Sequence, residues 1–81
     1  MTTAGRRPLP WYYLVNDKPV QMIATADGGM DVLAYDFATG EFVRDFDYLT
    51  ICLEHTTDVD SVDEAAFTSR VDQLRAERRA R

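Results

Sequence analysis

Cys52 and His55 are the one pair in this 81-residue chain that could serve as nucleophile and base, and they are its only soft metal ligands. At i and i+3 they share a face if the segment is helical. A reactive thiolate needs cations or a helix N-terminus to lower its pKa, and the residues around Cys52 include acids instead. A structural zinc needs four ligands, which one cysteine and one histidine cannot supply. The pair therefore reads as a buried cysteine beside a surface histidine, with no catalytic residue, metal or cofactor expected.

The acids invite hard-cation chemistry. Asp58-Val59-Asp60-Ser61-Val62-Asp63-Glu64 has the acid density of a calcium loop. Counted from Asp58, however, Asp63 stands where the loop needs glycine and Ser69 where it needs a bidentate glutamate. Asp27 and Asp31 flank a Gly-Gly pair and offer too few oxygens for a cation site. Asp45 and Asp47 lie two apart, as a general acid and base in a strand might, but acids at that spacing also mark helix starts.

Charge is segregated along the chain. The formal net charge is −5; residues 11–69 carry twelve acids against Lys18 and Arg44, while Arg6 and Arg7 precede them and Arg70, Arg75, Arg78, Arg79 and Arg81 follow. An acidic body favours solubility and basic partners. The arginine tail could touch nucleic acid, but two acids interrupt it and no aromatic lies within it to stack a base. Arginine far outnumbers lysine, a bias that fits a GC-rich bacterial genome. One cysteine permits no internal disulfide, as in a reducing cytoplasm. No apolar run approaches the roughly 20 residues of a membrane span, and no apolar run follows Arg6 and Arg7 as in a signal peptide.

These residues need elements to hold them. Trp11-Tyr12-Tyr13-Leu14-Val15 has strand composition, and Pro8 and Pro10 keep helix out of it. Asn16-Asp17-Lys18-Pro19 carries turn chemistry. Val20–Thr25 reads as a second strand, Met30–Phe37 as a third and Glu41–Arg44 as a fourth, joined at Ala26-Asp27-Gly28-Gly29 and Ala38-Thr39-Gly40-Glu41. Asp36-Phe37-Ala38-Thr39-Gly40-Glu41 resembles the hairpin turn of propeller blades, but it occurs once and carries no function.

Between Asp45 and His55, Phe46, Leu49 and Leu53 sit at helical spacing, with Asp45 or Asp47 to cap; Thr50, Ile51 and Cys52 pull toward strand. We read a short helix. Ser61-Val62-Asp63-Glu64 matches a capping box, with Ser61 as the cap. Phe67, Val71 and Leu74 then form one stripe of a helix near 62–77.

The expected fold is α+β: an antiparallel meander of three to four strands packed against a C-terminal helix. A flexible arm covers 1–10, the domain 11–77 and a frayed basic tail 78–81. The sheet is expected to keep one open face, with Trp11 and Tyr13 under the C-terminal helix and Tyr12 on that open face.

With no chemistry legible, the expected function is a small acidic cytoplasmic protein-binding module of adaptor, antitoxin or immunity type. Its partner would be a protein with a basic surface, or a second copy. Trp11, Tyr12, Tyr13, Asp31, Asp36 and Asp45 are the expected contact residues, since three adjacent aromatics exceed what one small core absorbs. The alternative is a nucleic-acid-associated protein using the two basic ends.

Overall fold

A computed structural model describes residues 8–54 and 57–80. Trp11–Val15 (β1) and Lys18–Ala24 (β2) form a hairpin whose two loop residues, Asn16 and Asp17, both adopt positive φ, at 49° and 68°. That is a type I′ turn, whose twist matches the strands it joins, and Asn and Asp tolerate it better than most side chains. Pro19 therefore lies within β2, opposite Leu14, and outside the ladder to the next strand, which begins at Val20 opposite Ala34. Its missing N–H costs no ladder bond there.

Met30–Asp36 (β3) follows a turn closed by Thr25 and Gly29, with Gly28 at φ 85°. Glu41–Arg44 (β4) returns after Gly40, whose φ is 77° and whose amide donates to the Asp36 carbonyl at 2.8 Å. Asp47–Glu54 (α1) is the short helix expected, and the Asp45 carboxylate accepts the Asp47 amide at 3.1 Å.

Three expectations are corrected here. The sheet has five strands, in the order β4-β3-β2-β1-β5, because Val59–Val62 (β5) pairs antiparallel with β1. Ser61 is consequently a strand residue opposite Tyr13, and the cap of Glu64–Arg79 (α2) is Asp63, whose carboxylate accepts the Ala66 amide at 2.8 Å. The capping-box spacing was present, but the ladder to β1 claims the backbone of Ser61 first. Finally, α2 runs to Arg79 rather than ending near 77.

The sheet has helices on both faces. On one, Tyr13, Val15, Val20, Met22, Val32 and Ala34 are buried with Cys52 of α1, and Trp11, Leu49 and Ile51 pack against them. On the other, Phe67, Val71 and Leu74 of α2 are buried alongside Tyr35. An aromatic series crosses that face: Tyr12 to Phe67 at 4.7 Å, Phe67 to Phe42 at 5.8 Å, Phe42 to Tyr35 at 5.6 Å between ring centroids. Alternation along β1 puts Tyr12 opposite in direction to Trp11 and Tyr13, so the arrangement is the reverse of that expected. Tyr12 lies beneath the C-terminal helix, and Trp11 and Tyr13 lie beneath α1.

Candidate functional site

None of the six expected contact residues is a free surface group. Tyr13 is buried and Trp11 half-buried on the α1 side, while Tyr12 is half-buried against Phe67. Asp31 is held by Arg44 in a two-pronged pair, Nε to Oδ1 and Nη2 to Oδ2, each at 2.9 Å. Asp36 accepts the Ala38 amide at 2.9 Å and so shapes the β3–β4 turn, and Asp45 caps α1. The aromatics are absorbed because two helices, on opposite faces, give the sheet two apolar layers to fill.

The chemistry weighed from sequence finds no assembled site. Cys52 is 1 % exposed, and burial pushes its thiol up to about 11, the reverse of what a nucleophile needs. His55 lies outside the described residues. Asp58–Glu64 is the edge strand β5 with the helix cap, and the Arg44 pair occupies the Asp31 carboxylate that might have joined Asp27. Among the described residues no group of three or more His, Cys, Asp or Glu is placed to hold a metal ion.

Three of the C-terminal arginines are fasteners. Arg70 Nε donates to the Asp17 carbonyl at 3.2 Å, Arg75 Nε to the Gly40 carbonyl at 3.1 Å and Arg78 Nη2 to the Ala38 carbonyl at 2.9 Å. Arg75 also lies over the Phe42 ring. These bonds clamp α2 onto the β1–β2 and β3–β4 hairpins. Lys18 has a similar duty: its ammonium donates to the Tyr48 hydroxyl at 3.1 Å and faces the Phe37 and Tyr48 rings.

The fold leaves several large apolar side chains uncovered. Phe37, Val43, Phe46 and Leu53 are exposed, Leu53 by 55 % and Phe46 by 49 %. Leu53 lies in α1 and Phe46 in the turn just before it, with half-buried Leu49 between them in sequence packing on the core. A cleft of about 550 Å³ opens between α1 and the β2–β3 turn, lined by Leu9, Trp11, Met30 and Leu53 together with Gly28 and Gly29 of the turn. A shallower depression adjoins it through Gly29 and Met30 and reaches Phe46, with Asp27 and the Asp31–Arg44 pair on its walls. The Asp27 carboxylate accepts the Thr25 hydroxyl and the Gly29 amide; these bonds hold it below the usual carboxylate range.

This surface escaped the sequence reading. The i, i+3, i+7 spacing of Phe46, Leu49 and Leu53 was legible as a helix signal, but it does not say which side meets the sheet: Cys52 is buried there, Leu49 packs beside it and Leu53 turns outward. Compared with protein-family models, curated proteins and solved structures, the chain matches none.

Proposed function

We propose that this chain is a small, non-catalytic protein-binding module of adaptor, antitoxin or immunity type, working in the cytoplasm. The observation that carries the reading is the exposed apolar pair Leu53 of α1 and Phe46 just before it, each lining one of two adjoining hollows, on a body whose charge is acidic. Contiguous apolar surface on a small soluble domain marks interaction sites, since the fold gains nothing from leaving it wet. The buried, hard-to-ionise Cys52 gives an enzyme reading no support. No helix among the described residues is long and apolar enough to cross a membrane. Of the aromatic strand, Trp11 lines this cleft, whereas Tyr12 packs against Phe67 of α2 and Tyr13 is buried on the α1 side.

Nucleic-acid binding through the basic ends is the weaker reading, because Arg70, Arg75 and Arg78 already donate to backbone carbonyls. A pull-down from lysate, with and without nuclease, separates the two. A protein partner that survives nuclease and is lost in Leu53→Asp supports the module. Nucleic acid as the sole captured species, reduced in Arg79→Gln and indifferent to Leu53→Asp, overturns it.

A further inference from the structure

We propose that the cleft between α1 and the β2–β3 turn receives a short apolar segment flanked by basic residues, contributed by another protein. The inference rests on the protein-binding reading and names the site and the chemistry of its occupant.

The apolar half of the argument comes from the walls. Leu9, Trp11 and Met30 are half-buried by the fold itself, and Leu53 stands beside them with more than half its surface in water. A volume of about 550 Å³ takes a few side chains, so the occupant is a segment rather than a domain face. On the turn side the lining is glycine backbone: Gly28 sits at φ 85°, and a Cβ there would meet nothing within 4 Å. Its glycine answers the turn's geometry and leaves the approach open. Phe46, across Met30, extends the apolar surface along the adjoining depression.

Charge decides what kind of segment. Asp27 stands on the wall of the depression, fully exposed and kept ionised by its bonds to Thr25 and Gly29. Asp45 and Asp47 flank Phe46 in the chain, and Glu54 follows Leu53. Among the described lining residues Arg44 is the one cation, paired with Asp31 and lying over the Phe46 ring; in sequence Arg6 and Arg7 precede the lining residue Pro8, and the acids still outnumber these cations. An apolar cleft with an acidic rim favours Lys and Arg beside the inserted side chains, through faster encounter and correct register. The same rim disfavours a second copy, because a two-fold axis at the cleft would set like-charged rims against each other.

The test is selection of a random peptide display library on the full chain, followed by titration of an enriched peptide into isotope-labelled protein. Expected peptides pair large apolar residues with Lys or Arg and shift the amide signals of Gly28, Gly29, Met30 and Leu53. Leu53→Asp should weaken binding by about tenfold or more, and Asp27→Asn by about two- to fivefold, an effect that shrinks with added salt. Both side chains are exposed, so thermal melting of each variant checks that the fold survives. Enriched peptides with no basic preference overturn the charge argument. Shifts confined to the outer face of α2 or to β4 overturn the site while leaving the protein-binding reading standing. Signals at the cleft that move with protein concentration alone overturn the proposal in favour of a homodimer. Failure to enrich any peptide, with a lysate partner still captured, overturns the short-segment occupant; failure of both overturns the function as well.

Discussion

Burial of α1's Cys52 against the sheet keeps its thiol protonated, and this has a consequence for stability against pH. The folded pKa, about 11, lies above the ordinary thiol value of 9.0. A raised folded pKa means the contribution is fully present below the unfolded value and is lost as pH rises through the folded one. Native stability should therefore fall between about pH 9 and 11, as the unfolded chain releases a proton that the folded chain retains. Denaturant midpoints of Cys52→Ala across that window should fall less steeply than those of the wild type, whatever the variant's own lower starting stability. Alkylation gives a second measurement: Cys52 should label slowly at neutral pH and rapidly once denaturant is added. At the other end of the scale, Asp27 has a lowered pKa, so its contribution is present above the unfolded value and disappears as pH falls through the folded one.

At the scale of elements, the two candidates for capping α2 make opposite predictions. Asp63→Ala should cost roughly 0.5–2 kcal/mol by orphaning the Ala66 amide. Ser61→Ala should cost less, since Ser61 takes part in a strand ladder rather than in the cap. Thermal melting of both variants reads the difference, and equal losses would argue against this cap. Phe67→Ala should cost roughly 3–5 kcal/mol, because the ring is buried between Tyr12 and Phe42. The β3–β4 hairpin depends on Gly40, whose positive φ an alanine would strain, and whose added Cβ would press on Arg78 at 3.1 Å. Gly40→Ala should lower stability by more than about 1 kcal/mol, and hydrogen exchange should show the loosening first in β4.

The whole molecule is a five-stranded sheet between two helices, and that layering governs what β1 can do. Were the sheet open on one face, Tyr12→Ala would be harmless to the fold. With Tyr12 centred 4.7 Å from Phe67, the substitution should instead lower the melting temperature appreciably, as deletion of a packed ring does. Leu53→Asp should leave it nearly unchanged, because exposed sites away from special contacts rarely shift stability by more than about 0.5 kcal/mol. The contrast between these two variants separates residues that build the domain from the exposed one proposed to meet a partner. Melting curves with and without chelator should overlay, since a bound metal would stabilise the native state by mass action.

Much of the fold was legible in local chemistry. The strands β1 to β4 follow from aromatic and branched runs punctuated by Gly28 and Gly40, whose positive φ few other residues accept. The helix at Asp47–Glu54 and the buried stripe Phe67, Val71 and Leu74 follow from spacing that places them on one side. What local chemistry could not disclose was β5. Its four residues hold only Val59 and Val62 as apolar members, too short for a period to show, and it is a strand because β1 has a vacant edge beside it. The same long-range pairing moved the helix cap from Ser61 to Asp63. Alternation separates Tyr12 from Trp11 and Tyr13, but nothing in β1 states which helix covers which side; the route from β4 through α1 to the far edge of the sheet decides that. The outward turn of Leu53 has the same origin. A helix with apolar residues on most sides must leave some of them in water, and only its docking on the sheet, with Cys52 innermost, chooses which.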